Sequence, residues 1–172
     1  MMKSTKHVNF YCVDNDVVDL DFFRENFNPK LIYSLYTFNS VQMFLNKLKT
    51  DVKEKSFKVV IIDNIITSRG MNTKTALELI PAIKSIDKET EVIIFADSEN
   101  IELKATSSNV KPAAFIKKDS QYFVRLYPLI SRLISEYELK RKRLSGKRAV
   151  IVFLIVFACA ALLFIIGMLY YR

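Results

Sequence analysis

Five short apolar runs alternate with amphipathic stretches over residues 7–139, and this alternation constrains the fold more than any other feature. The runs have the composition of buried strands. They occupy residues 7–13, 31–38, 58–62, 92–95 and 113–116. The other stretches space their apolar residues at helical intervals. They occupy residues 16–27, 40–48, 73–86, 100–108 and 122–139. Such strand–helix alternation predicts right-handed crossovers and a parallel sheet.

The predicted fold is therefore α/β, a three-layer, doubly wound, flavodoxin-like sheet of five parallel strands in the order 2-1-3-4-5. Ligands of such sheets bind at the carboxyl ends of the strands. Asp14, Asn15 and Asp16 follow the first run, Asp63 follows the third, and Lys118 follows the fifth. We expect two carboxylates, an amide and an ammonium to converge there in one shallow pocket. Lys118, and not Lys117, should face it, because side chains alternate along a strand.

The C-terminal segment differs in character from the rest of the chain. Residues 149–171 include no charged side chain. As a helix they would span roughly 34 Å, against a bilayer hydrocarbon core of about 30 Å. This predicts a division into a globular domain at 1–139, a basic juxtamembrane linker at 140–148 and a transmembrane helix at 149–171.

The net charge of +8 is concentrated near this segment. Residues 140–172 carry +7, without a single acid, which leaves +1 for residues 1–139. Basic residues stay on the cytoplasmic side of a membrane, so we expect a single-pass, tail-anchored protein with a cytoplasmic N-terminal domain. The basic linker either sets this topology alone or also binds anionic lipid, at about 1 kcal/mol per basic residue.

Composition also excludes several classes of function. A charge of only +1 on residues 1–139 argues against a nucleic-acid-binding domain. Cys12 and Cys159 are too few for a disulfide framework or a zinc site, which favours a reducing compartment. A single histidine and the lack of a G-x-S-x-G segment argue against a hydrolase.

Three segments, VDND after the first run, VVIIDN at the third and AFIKKDS at the fifth, resemble the response-regulator receiver domain of two-component systems. The resemblance extends over residues 7–140 and includes the order of the elements. It implies that Asp63 is the phosphoacceptor and that Lys118 contacts the phosphate. It also places Phe115 at the aromatic switch position.

The same resemblance implies a magnesium site. Its ligands would be Asp14, Asn15, Asp63 and the main-chain carbonyl of Ile65. A pocket of oxygen donors beside a nucleophilic carboxylate suits this hard cation, which neutralises an incoming phosphoryl group.

Three residues depart from the family pattern. Asn15 stands where an acid is preferred, which should weaken Mg²⁺ binding. Ala96 stands at the switch position, where the family has Ser or Thr, and Asp97 stands where a small residue is usual. Asn15 and Ala96 favour an alternative, a phosphorylation-independent pseudo-receiver that acts as a constitutive membrane docking module.

The first hypothesis is a membrane-tethered response regulator that is not an enzyme with a turnover substrate. It would take phosphate from a histidine kinase or a phosphotransfer protein and signal by binding a downstream protein. Small residues in the tail, Ala158, Ala160 and Ala161, would permit close contact between two such helices and hence a homodimer.

Overall fold

The computed structural model describes residues 7–30, 32–54, 56–66, 74–96 and 111–170, with side chains beyond residue 143 described only at 153, 154 and 157. Contacts divide the chain into a unit of residues 1–130 and a unit of residues 131–172. The elements, in chain order, are β1 (Val8–Val13), α1 (Val17–Asn26), β2 (Tyr33–Phe38), α2 (Val41–Asp51), β3 (Phe57–Asp63), β4 (Ile65–Ile66), β5 (Lys74–Thr75), α3 (Ala76–Ile86), β6 (Glu91–Ala96), β7 (Ala114–Lys117) and α4 (Tyr122–Tyr170).

Five of the strands form one parallel sheet in the order β2-β1-β3-β6-β7. This confirms the predicted order 2-1-3-4-5, because β4 and β5 form a separate antiparallel pair of two residues each. In the main sheet Val13 lies opposite Ile62, and Asp63 lies opposite Phe95. The carboxyl ends of the central strands therefore lie at one common edge.

Alternation of side chains along the strands gives the sheet two buried faces. One face packs against α2 and α3. Its cluster includes Tyr11, Val13, Phe44, Leu48, Val60, Ile62, Ile80, Ile83 and Ile94. On the opposite face, Phe95 contacts Phe23 of α1 and Tyr122 at the start of α4. The sheet thus lies between helical layers, as the nearly continuous apolar runs predicted.

Helix boundaries agree with local signals. Asp16 is the N-cap of α1, and its side chain accepts a hydrogen bond from the Val18 amide at 2.8 Å. Pro81 lies inside α3 without ending that helix, which continues to Ile86. The helix predicted at 100–108 lies outside the described residues.

The last helix extends beyond its predicted end at residue 139. The backbone of α4 is helical through 140–148, which the sequence interpretation treated as a linker. Lys, Arg and Leu are good helix formers, and Gly146 alone costs only about 1 kcal/mol. A basic composition therefore did not require an interruption of the helix.

Within the part of the chain that the structure describes, no helix combines the length and the apolar character needed to cross a membrane. Most side chains of the predicted span at 149–171 lie outside the described residues. The three that are described, Phe153, Leu154 and Phe157, are exposed.

A buried polar network joins β1 to α2. The Tyr11 hydroxyl donates to Asp51 Oδ2 at 2.8 Å, and Lys47 Nζ donates to Asp51 Oδ1 at 2.9 Å. Thr50 Oγ1 also donates to Asp51 Oδ1, at 3.1 Å. Burial alone would raise the pKa of Asp51, but the bonds from Lys47 and Tyr11 lower it below its ordinary value. The folded state therefore favours the ionised carboxylate.

Asp51→Asn should lower the free energy of unfolding by about 2–3 kcal/mol at neutral pH, because hydrogen bonds to a charged group are lost. The folded-state pKa of Asp51 lies below the unfolded value of about 3.9, so its contribution is present above that value and is lost as the pH falls through the folded one. Urea unfolding should show that the difference in free energy of unfolding between this variant and wild type becomes smaller as the pH is lowered from about 7 to about 3. Asp21→Asn, which affects only the exposed pair with Arg24, is the control. A difference that stays constant with pH would contradict the assignment.

Candidate functional site

The candidate site lies at the carboxyl edge of the main sheet. Asp14 directly follows β1, and its amide donates to the Phe38 carbonyl at 3.1 Å. Asp63 is the last residue of β3. Lys118 directly follows β7, and its amide donates to the Ala96 carbonyl at 3.3 Å. Backbone pairing thus continues one residue beyond β1 and β7, which fixes the positions of Asp14 and Lys118 at this edge.

The ammonium of Lys118 is the centre of the site. Lys118 Nζ donates to Asp14 Oδ2 at 2.7 Å and to Asp19 Oδ2 at 2.5 Å. The distance from Lys118 Nζ to Asp63 Oδ1 is 3.9 Å, an ion-pair distance but not a hydrogen bond. The structure therefore brings the predicted Asp14, Asp63 and Lys118 together and adds a third carboxylate, Asp19.

The neighbouring Lys117 takes no part in this cluster. Lys117 lies opposite Ala96 in the sheet and is exposed. Its carbonyl accepts a hydrogen bond from Arg125 at 2.8 Å. Strand alternation thus distinguishes two adjacent lysines, and only Lys118 reaches the carboxylates.

Three carboxylates surround one ammonium, so the cluster has a formal excess of two negative charges when all four groups are ionised. Partial burial alone would lower the pKa of Lys118. The hydrogen bonds to Asp14 and Asp19, with the charges of Asp14 and Asp63, raise it above the ordinary lysine value instead. The ammonium stays charged at neutral pH, and its stabilising contribution is lost only as the pH rises through that raised value.

The acid-rich segment after β1 divides its carboxylates between two tasks. Asp14 Oδ1 accepts a hydrogen bond from the Asp16 amide at 2.9 Å, while Asp16 caps α1. Asp19 lies in the first turn of that helix. Sequence reasoning missed Asp19 as a site residue. The available signal was its position three residues after the N-cap, where an acid is favourable and lies close to the end of β1.

Two of the predicted metal ligands contact each other. Asn15 Nδ2 donates to the Ile65 carbonyl at 2.9 Å. Among the described residues, no group of three or more His, Cys, Asp or Glu side chains is arranged to hold a metal ion. The predicted donors, carboxylates of Asp14 and Asp63 with an amide and a carbonyl oxygen, are nevertheless of the kind that Mg²⁺ prefers. In this arrangement the Asn15 amide presents its nitrogen, not its oxygen, to Ile65.

The two predicted switch positions lie in the sheet beside the site. Ala96 ends β6 and is buried, and its methyl group can neither donate nor accept a hydrogen bond. Phe115 of β7 is partly buried and packs against the apolar cluster shared with α2 and α3. Asp97, the third departure from the family pattern, lies outside the described residues.

A groove of about 470 Å³ opens beside the carboxylates. Its polar lining consists of Asp14, Asp19, Lys118, Asp119 and Ser120, and its apolar lining consists of Cys12, Phe22, Phe23, Phe95 and Tyr122. Burial, reinforced by the charge of Asp14, raises the pKa of the Cys12 thiol. This thiol is therefore protonated at neutral pH and is a poor nucleophile. The charged groups that the groove offers are the carboxylates of Asp14, Asp19 and Asp119 and the ammonium of Lys118.

No protein-family model matches the chain, and no curated protein matches it. Solved structures do. Full-length FixJ from B. japonicum superposes with a TM-score of 0.61 at 20% identity, over 80% of this chain and 63% of FixJ. The signal receiver domain of an HD domain-containing protein from Pseudomonas fluorescens Pf-5 superposes with a TM-score of 0.60 at 20% identity, over 80% of this chain and 97% of that domain. A response regulator receiver domain protein from Clostridium thermocellum superposes with a TM-score of 0.59 at 17% identity, over 77% of this chain and 98% of that protein.

These similarities define the class of fold. This chain has the five-stranded parallel architecture of response-regulator receiver domains, with its carboxylate cluster at the carboxyl edge of the sheet. It spans less than two thirds of full-length FixJ. It covers almost the whole of the two receiver-domain structures, 97% and 98% of their chains.

Lys118→Met should lower the free energy of unfolding by about 2 kcal/mol at neutral pH, because the nearly buried Asp14 loses its cation. Urea unfolding followed by circular dichroism measures the change. Lys117→Met removes the same charge from the adjacent exposed position and should stay within about 0.5 kcal/mol of wild type. Equal effects of the two substitutions would show that the ion pairs of Lys118 do not stabilise the fold.

Proposed function

We propose that this chain is a membrane-tethered response-regulator receiver, phosphorylated on Asp63 by a histidine kinase or a phosphotransfer protein. One observation carries the proposal. Asp14, Asp63 and Lys118 come together at the carboxyl edge of a sheet with receiver topology. Separate strands supply them, so their meeting requires the whole fold.

The proposed chemistry is an in-line phosphoryl transfer. An oxygen of Asp63 attacks the phosphorus of a phosphohistidine, the O–P bond forms, and the donor's N–P bond breaks. The electron pair of that bond stays on the imidazole nitrogen. Lys118, 3.9 Å from Asp63 Oδ1, is the cation positioned to neutralise charge on the phosphoryl oxygens.

A magnesium ion would supply further neutralisation of the phosphoryl group. Asp14, Asn15, Asp63 and the Ile65 carbonyl would hold it, with water completing its coordination. The Asn15 amide must first release the hydrogen bond from its Nδ2 to the Ile65 carbonyl and turn its oxygen toward the ion. Since an amide also contributes no negative charge, we expect Mg²⁺ to bind weakly.

The proposed output is a protein–protein interaction with a downstream partner, and the domain is not an enzyme with a turnover substrate. Phosphorylation adds negative charge beside Lys118, and Phe115 on the adjoining strand would be the aromatic residue that responds. The same proposal includes a homodimer in which the small residues of the tail allow two helices to come into close contact.

The tether rests on the sequence of the tail. Residues 149–171 carry no charge and follow the basic stretch 140–148. Phe153, Leu154 and Phe157 are exposed, as side chains that face lipid would be. Confinement to a membrane raises the effective concentration of a kinase or target that shares it.

Two observations favour the alternative, a pseudo-receiver that docks a partner without phosphorylation. The amide of Asn15 already satisfies the Ile65 carbonyl, so two of the four proposed metal ligands are engaged with each other. Ala96 lacks the hydroxyl that the family pattern places at the switch position. In this alternative Lys118 and its carboxylates serve only to stabilise the sheet edge.

Incubation of the full chain with acetyl phosphate and Mg²⁺ should give one phosphoryl adduct by intact mass. Asp63→Asn should abolish the adduct, because the nucleophilic carboxylate is gone. Asp119→Asn removes a nearby acid that pairs with Arg125 instead, and should retain the adduct. If wild type gives no adduct and does not bind beryllofluoride, the chain acts as a pseudo-receiver that docks a partner without phosphorylation.

The tether is tested by placing charge within the tail. The double variant Ala160→Arg with Leu163→Arg should move the chain from the membrane to the soluble fraction, because each arginine costs about 2.5–3.5 kcal/mol at a bilayer centre. Carbonate extraction of membranes measures the partition. Leu144→Arg with Ser145→Arg adds equal charge before the apolar run and should leave the protein in the membrane. Extraction of wild type by carbonate would refute the tether.

A further inference from the structure

We propose that Asp19 is a positioning residue that holds the Lys118 ammonium away from Asp63. The consequence for phosphorylation rests on the function proposed above, but the geometric statement does not. Asp19 belongs to no predicted ligand set and enters the cluster from the first turn of α1.

The ammonium of Lys118 has two close carboxylate acceptors. Lys118 Nζ makes short hydrogen bonds to Asp14 and Asp19, at 2.7 and 2.5 Å. Asp63 Oδ1 lies at 3.9 Å, outside hydrogen-bond distance. The side chain of Lys118 is therefore drawn toward the β1–α1 side of the pocket. Closer approach to Asp63, or to a phosphoryl group on it, requires one of the two short bonds to lengthen.

Burial indicates which bond would yield. The Asp14 side chain is only 8% exposed, and its other oxygen is fixed by the Asp16 amide. The Asp19 side chain is 43% exposed. A buried carboxylate that loses its cation is strongly destabilised, whereas water can solvate an exposed one. Asp19 is therefore the partner that Lys118 can release.

Asp19 and a phosphoryl group on Asp63 thus compete for the same ammonium. Removal of the Asp19 charge should free Lys118 to move toward Asp63 and bind an anion there. Asp14 would still keep Lys118 within the pocket.

The competition predicts the effect of Asp19→Asn on phosphate-analogue binding. Titration of the full chain with beryllofluoride and Mg²⁺, followed by fluorine NMR, should show about two- to fivefold tighter binding than wild type. Asp19→Glu, which keeps the carboxylate, should bind like wild type. Asp21→Asn removes equal charge from the same helix, but from a residue that pairs with Arg24, and should also bind like wild type. Weaker or unchanged binding by Asp19→Asn overturns the proposal, as does equal tightening by Asp21→Asn.

A second measurement is independent of phosphorylation. Double-mutant cycles with Lys118→Met and Asp63→Asn give the coupling between these residues from urea unfolding. The coupling should be larger in the Asp19→Asn background than in wild type, and unchanged in the Asp21→Asn background. If no variant binds beryllofluoride, the proposed phosphorylation fails, but a larger coupling still supports the role of Asp19. Equal coupling in all backgrounds overturns it.

Discussion

The structure depends on compensation of the Asp14 carboxylate. Asp14 follows the interior strand β1 and is almost buried, a position in which an unpaired charge would be strongly destabilising. Its cation comes from Lys118, 104 residues later, at the end of the edge strand β7. Pairing of β7 with the sheet therefore brings in the cation that neutralises the acid after β1. The group that completes the sheet is also the group that gives the pocket its chemistry.

This dependence explains why much of the site could be predicted from sequence. Asp14, Asp63 and Lys118 each follow an apolar run, and such runs are local signals that need no tertiary information. The handedness of crossovers then limits the strand order, and carboxyl ends of parallel strands share an edge. Alternation of side chains along β7 likewise predicted that Lys118, and not Lys117, faces the pocket. Each step uses periodicity or chirality, which the chain carries locally.

The other features of the site depend on how separate elements pack together, which the periodicity of the sequence does not encode. Asp19 was recognisable as a first-turn acid, but its contact with Lys118 depends on where α1 lies relative to β7. The Asn15–Ile65 bond joins the segment after β1 to β4, and β4 and β5 are too short to show any period. The helical backbone at 140–148 was missed for a different reason, because charge density was interpreted as a linker although Lys and Arg favour helices.

The charge balance links the departures from the family pattern to one physical problem. The cluster already holds two negative charges in excess, and a phosphoryl group would bring more. An acid at position 15 would strengthen a magnesium site but would add a further charge to a pocket in which Lys118 is shared among three carboxylates. Asn15 avoids that repulsion and would weaken the proposed metal site at the same time. Because the methyl side chain of Ala96 cannot donate a hydrogen bond, the proposed recognition of phosphate there would depend chiefly on the ammonium of Lys118. In the proposed function, the hydrogen bonds of Lys118 to Asp14 and Asp19 would therefore decide whether the pocket responds to phosphate or remains a structural ion cluster.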